Sequence, residues 1–287
     1  MKLGVPVNPY ALNVPTQLRA AAGRLGVTAR PIDLPTVVAR IDAAGAVVVA
    51  DRDGPIAVDG LAPYLLYGYP AALYAFRVLG RQAFLQNPVD GVLVADDKAA
   101  TAERLAQAGL PQVPTVVCPG ELELLTELAG EVGYPVVAKR THGAQGRWVR
   151  RADDPAGLKT AFEELMADGP TALILQPEVV EARGKSIRVV ITGGRVLAVT
   201  ERTAGFAEWR SNIAGGANQR PIELSTAETD MALGAASALE LRHAGIDLLR
   251  TKSGTVVLEV NACPDFTSMM PYFGELLADE VVRASLP

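Results

Sequence analysis

The sequence GIDLLRTKSGTVVLEVNACP at residues 245–264 contains two apolar runs that meet at a short polar turn. This pattern predicts a β-hairpin. A hairpin loop of three residues, here 252–254, usually needs a left-handed residue at its third position, and Gly254 adopts that conformation without steric cost. With this loop, Thr251 pairs with Thr255, and the register of both strands follows from that pair.

Three polar side chains of the hairpin then share one face. In this register Asp247 lies directly opposite Glu259, and Asn261 is on the same face because side chains alternate along a strand. Two facing carboxylates repel each other, and a divalent cation removes the repulsion. Oxygen ligands without His or Cys suit Mg²⁺ or Mn²⁺, which usually also hold substrate phosphates. The face predicts a magnesium site of a nucleotide enzyme; the alternative is a solvated hairpin with two incidental acids.

The composition limits the protein class. A chain of 287 residues is expected to form two domains, or one domain with several lobes. The net charge of -5 argues against nucleic-acid binding by bulk electrostatics. Cys118 and Cys263 lack zinc or disulfide-scaffold spacing, which favours free thiols in a reducing cytoplasm. The sequence has no signal-peptide pattern and no apolar run of roughly 18 residues, so we expect a cytoplasmic protein that does not span a membrane. From the charge we expect no nucleic-acid partner.

The first part of the chain alternates strand and helix patterns. Strands are predicted at Leu3–Val7 and Thr28–Ile32, with a helix at Gln17–Leu25 between them. Ala46–Ala50 and Ile56–Val58 flank a polar turn and predict a hairpin. This order favours an α/β lobe with a partly parallel sheet. No GxGxxG follows the first strand, so a dinucleotide-binding Rossmann site has little support.

The later part continues the alternation. Asp154 and Pro155 mark a helix start, since they provide an N-cap and a first helical position that needs no N–H. The other predicted elements are helices at Lys98–Ala108 and Ala227–Arg242 and strands at Val136–Lys139, Ala172–Leu175, Ile187–Thr192 and Val196–Arg202.

A lysine and two glycines follow one of these strands. Residues 136–149 read VVAKRTHGAQGRWV, in which Lys139 ends the apolar run and Gly143 and Gly146 lie in the next loop. Small residues let backbone N–H groups approach phosphate oxygens, and the ammonium adds a positive charge. The Walker A order is absent, and a plain β-turn also explains two nearby glycines.

Three arginines recur on or just after strands that lead toward the hairpin. Arg188, Arg202 and Arg210 would be costly to bury unless they meet anions, and their planar guanidinium suits phosphate or carboxylate. Residues 210–212 read RSN and precede a Gly-Gly pair, which indicates an anion-binding loop. A solvated polar loop is the alternative.

Together these motifs resemble the RimK-type ATP-grasp ligases, from about Asn87 to the end of the chain. The resemblance rests on the order of the motifs: Asp97-Lys98, the glycine-rich loop at 139–146, GKSIRVVI from Gly184, ERTAG at 201–205, RSN at 210–212 and the final GIDLLR…LEVNACP. It implies an α/β ATP-grasp fold, with an N-terminal α/β lobe at 1–90, a central lobe at 91–178 and a C-terminal lobe at 179–287. ATP would lie between the last two lobes.

The resemblance also implies residue roles. Lys98 and Lys139 would contact ATP phosphates, and the strand end 176–179 would bind adenine through its backbone. Ser186 replaces an acid common in relatives, and Pro177-Glu178 replaces an acid–aromatic pair, so carbonyls or neighbouring amides must bind adenine there. The implied nucleotide contacts are Lys98, Lys139, Gly143, Gly146, Gln176, Pro177, Glu178, Val179, Ser186, Arg188 and Ser211; the implied catalytic residues are Arg202, Arg210 and Asn212; the implied magnesium ligands are Asp247, Glu259 and Asn261.

The implied activity is an ATP-dependent carboxylate–amine ligation. A carboxylate would take the γ-phosphate of ATP, and an amine would displace phosphate from the acyl-phosphate, giving an amide, ADP and phosphate. Arg210 would stabilise the acyl-phosphate and Arg202 the acceptor carboxylate. We expect ATP with Mg²⁺ or Mn²⁺, a glutamate-like amino acid, a peptide or small acid, and a dimer or tetramer. The alternatives are a lysine-biosynthesis-type carrier-protein ligase and a non-catalytic ATP-binding regulatory protein.

Overall fold

A computed structural model describes residues 1–7, 13–64, 69–143, 146–205, 209–211 and 216–287. The N-terminal part carries a four-stranded parallel sheet in the order β2-β1-β6-β7 and a small antiparallel sheet, β3-β4-β5. Its elements are β1 Lys2–Val7, α1 Asn13–Arg24, β2 Thr28–Asp33, β3 Val38–Ile41, β4 Val47–Asp51, β5 Gly54–Pro55, β6 Gly60–Leu61, α2 Pro70–Leu79 and β7 Phe84–Leu85. The predicted α/β lobe is confirmed. The predicted hairpin is β4–β5, whose second strand ends at Pro55.

Two helices follow, and then a separate central lobe. The lobe is a four-stranded antiparallel sheet in the order β10-β9-β11-β8, with α5 and α6 packed on it around its own core. Asp154 caps α6 by accepting a hydrogen bond from Gly157 N–H, as predicted. These elements are α3 Val89–Asp96, α4 Lys98–Gln107, β8 Val116–Cys118, α5 Leu122–Val132, β9 Val136–Arg140, β10 Val149–Ala152, α6 Pro155–Leu165 and β11 Leu173–Pro177.

The C-terminal part is a five-stranded antiparallel sheet in the order β14-β13-β12-β15-β16. Helix α7 ends four residues before the predicted Arg242, because Glu240 takes a left-handed conformation with a φ of +58° and Leu241 N–H donates back to Ala236 O. The N–H groups of Arg242 and His243 then donate to the side chain of Asn87. The elements are β12 Lys185–Thr192, β13 Arg195–Thr203, β14 Asn218–Pro221, α7 Thr226–Ala238, β15 Ala244–Thr251, β16 Gly254–Asn261, α8 Met270–Phe273 and α9 Leu276–Ala284.

The hairpin β15–β16 has the predicted pairing at the site but a different loop. Thr251 pairs with Gly254, so the loop contains two residues and the three-residue prediction is wrong. The ladder then shifts by one residue at a β-bulge, where Leu258 is the extra residue. The two differences cancel, and Asp247 lies opposite Glu259.

The bulge changes which side chains face the cleft between the sheets. Val257 pairs with Leu248 and lies in the main core, whereas Leu258 and Glu259 both line the cleft. Regular alternation would have placed two consecutive side chains on opposite faces. The bulge thus adds an apolar side chain next to the carboxylate.

The N-terminal region contributes to the covering of both faces of the C-terminal sheet, together with helices from later in the chain. On one face, β1 and α1 pack with α9 around Leu18, Val190 and Val281. On the other, α2, α3, α4 and α7 pack around Phe76 and Ile246. Within the described ranges, no helix is long and apolar enough to cross a bilayer. The three predicted residue ranges for the lobes stay a prediction.

Candidate active-site cleft

A cleft of about 940 Å³, part of it open to solvent, lies between the central sheet and the C-terminal sheet. It is bounded by β9, the glycine-rich loop, the end of β11, the start of β12 and the bulge of β16. Motifs far apart in the sequence therefore meet here. The sequence-predicted residues in its wall are Lys98, Lys139, Gly143, Gly146, Gln176, Pro177, Glu178, Val179, Arg210, Ser211 and Glu259.

Lys139 is the most perturbed cation of the cleft. Its Nζ donates to Gln176 Oε1 at 2.7 Å, and Gln176 in turn donates to the Thr115 hydroxyl at 2.8 Å. Burial, with a smaller contribution from the charge of Lys98, lowers the pKa of Lys139 to about 8, although Glu259 and Asp247 act in the opposite direction. A half-buried ammonium that bonds a neutral amide is incompletely compensated. It is therefore suited to receive an anion.

The glycine-rich loop is held by cations on two sides. Lys98 Nζ donates to Gly143 O at 2.8 Å, and Arg210 Nη1 donates to Gly146 O at 3.2 Å. Gly143 has a φ of +133°, and a Cβ at this position would lie 2.9 Å from the Trp148 ring. The loop thus requires glycine at 143 for both conformation and space. Its backbone lies beside two cations that line the same cleft.

The end of β11 forms the opposite wall. Glu178 N–H donates to Pro135 O at 2.9 Å, so the backbone groups on either side of it, Pro177 C=O and Val179 N–H, point the other way in an extended chain. None of the described residues accepts a hydrogen bond from Val179 N–H. One acceptor and one donor thus share an edge of the strand. Proline at 177 is compatible with this arrangement because only its carbonyl is used.

The Glu178 side chain joins two parts of the structure. It accepts a hydrogen bond from Arg151 Nε at 2.8 Å, in β10, and bonds from Arg183 Nε and Nη2 at 2.7 and 2.6 Å, just before β12. Burial acts to raise the pKa of Glu178, but the two arginines outweigh it and the pKa is lowered. The carboxylate is thus ionised and bridges two arginines. We call this group, Arg151–Glu178–Arg183, the clasp between the central and C-terminal lobes.

An apolar floor lies next to this strand end. It is a small hydrophobic cluster that is separate from the three larger cores. Leu258, placed there by the bulge, belongs to it. The cluster consists of Val113, Ala182 and Leu249 together with the partly buried Val179, Val256 and Leu258. The floor thus provides an apolar surface beside the backbone N–H of Val179.

Asp247 lies deeper and is bound by an arginine. Arg188, on the neighbouring strand, donates from Nε to Oδ1 and from Nη2 to Oδ2, both at 2.7 Å. Burial acts to raise the pKa of Asp247, but Arg188 outweighs it and the pKa is lowered. In the structure Arg188 orients this carboxylate, and its predicted contact with nucleotide stays a prediction.

Arg202 is the second buried arginine of this group. Its Nη1 lies 3.9 Å from Asp247 Oδ1, and its buried Nε has no hydrogen-bond partner among the described residues. Burial and the charge of Arg188 lower the pKa of Arg202 to about 10. A buried guanidinium with an unused donor is expected to bind an anionic substrate group.

Asp247, Glu259 and Asn261 fit a magnesium ion that is shared with phosphates. They provide two carboxylates, paired across the hairpin, and an amide two residues along the same strand. Asn261 Oδ1 accepts a hydrogen bond from Cys263 N–H at 2.9 Å, which fixes its orientation and leaves a second lone pair. In the described part of the chain, no group of three or more His, Cys, Asp or Glu side chains could hold a metal. A magnesium ion held by this trio would take its remaining oxygen ligands from phosphate or water.

Several predicted residues lie outside the cleft wall. Ser186 bonds the hydroxyl of Ser211 at 2.6 Å and pairs across the strands with Arg202, so it links Ser211 to β12. Asn212 lies outside the described residues. The described candidates absent from the wall are Ser186, Arg188, Arg202, Asp247 and Asn261.

Sequence reasoning missed two aromatic residues. Trp148 and Trp209, the only tryptophans of the chain, both line the cleft. Trp148 stacks on the guanidinium of Arg140 at 3.7 Å and faces Arg147 at 4.7 Å. Trp148 lies within the quoted stretch 136–149, and Trp209 directly precedes the RSN motif. Their positions next to these motifs are the sequence signal that could have identified them.

Comparisons with known proteins show the family and the fold of the chain. The sequence model of the RimK-like ATP-grasp domain matches residues 95–284. A "Probable alpha-L-glutamate ligase" of Sodalis glossinidius (strain morsitans) is 35% identical over 221 residues, which are 75% of this chain and 69% of that protein. The RimK domain ATP-grasp protein from Sphaerobacter thermophilus DSM 20745 superposes with a TM-score of 0.74 at 19% identity, covering 100% of both chains. The ATP-grasp ligase PsnB, solved with its minimal precursor, Mg and ADP, gives 0.71 at 17% identity, covering 99% of this chain and 97% of that one.

Proposed function

Because the chain belongs to the RimK-like ATP-grasp family and is an ATP-dependent ligase that forms a carbon–nitrogen bond, we propose that it joins a glutamate-like amino acid to a carboxylate of a peptide or small acid. The observation that carries the proposal is that Lys139 and Glu259 face one cleft beside the glycine-rich loop. An ammonium would bind the phosphates, and the carboxylate would bind their magnesium ion. The amino acid is proposed from the name of the relatives.

The cleft supports a defined placement of ATP. Adenine would lie on the apolar floor, with its amino group donating to Pro177 C=O and a ring nitrogen accepting from Val179 N–H. The phosphates would then lie between Lys139 and the loop held by Lys98. Loop amides and the two ammonium groups would offset the phosphate charge.

The reacting groups would meet at the inner end of the cleft. Magnesium, held by Asp247, Glu259 and Asn261, would neutralise charge on the phosphates during transfer. Arg210 would contact the transferred phosphoryl group, and the unused Nε of Arg202 would bind the substrate carboxylate. The proposed sequence is attack of the carboxylate on the γ-phosphate, followed by attack of the amine on the acyl-phosphate.

Phosphate release from Mg-ATP tests the proposal. We expect release in the presence of glutamate and an acidic peptide or small acid, with an amide product detected by mass spectrometry. Replacing Glu259 by Ala should lower kcat by about 100-fold or more because a magnesium ligand is lost. Glu223→Ala, which changes an exposed carboxylate elsewhere, should retain the activity.

The panel should include other amino acids and carrier-protein acceptors. Stimulation by another amine with the same dependence on Glu259 would contradict the glutamate assignment alone. If no pair raised phosphate release above that of Glu259→Ala, the ligase proposal would fail in favour of a nucleotide-binding regulatory protein.

A further inference from the structure

The proposed magnesium ligand Asn261 is oriented by a short segment just beyond its strand. Its Oδ1 accepts the N–H of Cys263, and that residue lies between Ala262 and Pro264. The position of one backbone N–H therefore controls the direction of the amide oxygen. What holds residues 262–264 in place thus bears on the metal site.

Asn87 holds this segment on one side. It is 1% exposed and lies in the link between β7 and α3. Its Nδ2 donates to Ala262 O at 3.3 Å and to His243 O at 2.7 Å, while its Oδ1 accepts from Arg242 N–H and His243 N–H at 3.0 and 2.9 Å. Both donors and both lone pairs of the amide are used. The side chain thus ties together the start of β15 and the residue after β16.

Tyr64 holds the segment on the other side. It is 7% exposed, and its hydroxyl donates to Pro264 O at 3.0 Å. The hydroxyl also forms a hydrogen bond with His243 Nε2 at 3.0 Å, and His243 Nδ1 bonds the Thr192 hydroxyl at 2.7 Å. Burial lowers the pKa of His243 to about 3, so the ring stays neutral across physiological pH.

We propose that Tyr64 and Asn87 are positioning residues for the magnesium site. Both come from the chain before the central lobe and form no hydrogen bond with the three proposed ligands. They bind the carbonyls of Ala262 and Pro264, the residues on either side of Cys263, whose N–H bonds Asn261. Groups that orient metal ligands are typically worth about tenfold to 100-fold in metal affinity. The inference rests on the proposed function, because it assumes that Asn261 is a ligand.

The test measures binding of Mn²⁺ directly, by electron paramagnetic resonance of the free ion, with ADP present. Tyr64→Phe removes only the hydroxyl that bonds Pro264 O, and we expect the Kd for Mn²⁺ to rise by about tenfold. Asn87→Asp keeps the size and the acceptor but loses the donor, and should weaken Mn²⁺ in the same direction. The affinity for ADP in EDTA, followed by tryptophan fluorescence, should stay within about twofold, since neither residue lines the nucleotide cleft.

The chain offers a matched control for the first variant. The Tyr134 hydroxyl is buried without a hydrogen-bond partner among the described residues, so Tyr134→Phe removes the same atom without removing a bond. It should bind Mn²⁺ like the unmodified protein. Measurements well below the melting temperature of every variant separate positioning from general loss of structure, because a purely structural role would change the melting temperature and leave the Kd unchanged.

The two hypotheses fail in different ways. If Tyr64→Phe and Asn87→Asp bound Mn²⁺ as tightly as Tyr134→Phe while Glu259→Ala lost it, the positioning role would be refuted and the metal site retained. If Glu259→Ala bound Mn²⁺ as tightly as the unmodified protein, the proposed metal site itself would be wrong, and the positioning role with it.

Discussion

Lys139 shows at the scale of one residue how burial prepares a side chain for an anion. The ammonium is partly shielded from water, bonds the neutral Gln176, and has Glu259 and Asp247 near enough to offset only part of the cost. A phosphate would supply the missing partner and favour the protonated form. Binding of nucleotide and binding of a proton are therefore coupled at this residue.

This coupling predicts a pH dependence of nucleotide affinity. Because the folded pKa of Lys139 is lowered to about 8, the charged form that attracts phosphate dominates below that pH and is lost above it. The Kd for ADP should rise by about tenfold between pH 7 and pH 9. The arginine variant Lys139→Arg stays charged, so its Kd should change little over that range. Fluorescence titration at several pH values measures this.

A second lysine provides the control. Lys98→Arg changes a cation of the same cleft but keeps Lys139, so its affinity should still fall as the pH rises. A slope that persisted in Lys139→Arg would show that another group causes it.

Some residue-level features follow from the sequence and others do not. Alternation along one strand was enough to put Glu259 and Asn261 on one face, since that depends on local geometry. The partner of Asp247 could not be found this way, because Arg188 reaches it from a strand 59 residues earlier in the chain. Tyr64 and Asn87 belong to no recognised pattern, because their role depends on where distant backbone carbonyls lie.

At the scale of the element, the hairpin β15–β16 reached the predicted register by another route. Gly254 is compatible with a loop of two or three residues, so it could not decide between them. The bulge is formed by Leu258, whose residue type gives no sign of it. The sequence therefore predicted the pairing of Asp247 with Glu259 but not the apolar contribution that the bulge makes to the cleft.

Deletion of Leu258 separates these two effects. Without the extra residue, a regular ladder continues from Leu248 and Val257 and still places Asp247 opposite Glu259. Mn²⁺ binding should therefore be retained, while nucleotide affinity should fall by about tenfold because a leucine is lost from the floor. Calorimetric titration with ADP and with Mn²⁺ measures both.

Leu258→Ala is the matched variant, since it keeps the bulge and removes only the side chain. It should weaken nucleotide binding to a similar extent. Loss of Mn²⁺ binding in the deletion but not in Leu258→Ala would show instead that the bulged backbone is needed for the metal site.

At the scale of the whole molecule, the central lobe is the one part whose described residues form a core of their own. The N-terminal part shares both of its cores with the C-terminal sheet, and α3 and α4 pack on that side too. The motifs predicted the order of the lobes and the cleft, since they mark the chain segments that meet there. They could not predict which lobe each linking helix packs against, because that depends on complementary apolar faces.

The clasp at Glu178 is expected to set how the central lobe sits over the cleft. Glu178→Gln removes the charge that holds Arg151 and Arg183 together. The KM for ATP should rise by about five- to tenfold with kcat changed by less than about twofold, because the clasp orients the adenine strand and does not touch the reacting groups. Steady-state kinetics with fluorescence titration of ADP measures this.

Glu164→Gln is the control for the clasp, since Glu164 pairs with Arg150 within the central lobe alone. It should leave the KM for ATP unchanged. An equal rise in both variants would mean that loss of any acid–arginine pair in this lobe disturbs the site.

The anchoring of residues 262–264 by Tyr64 and Asn87 also limits how such enzymes can be recombined. In a chimera that takes its N-terminal part from one ligase and its catalytic lobes from another, the residues at positions 64 and 87 would come from a different parent than the segment after β16 that they bind. Grafts should therefore carry the Tyr64–His243–Thr192 and Asn87 contacts as a unit, with both sides of the junction taken from the same parent. For protein engineering, the parts of this ligase that can be exchanged are therefore limited by these hydrogen bonds and not by one cut position in the sequence.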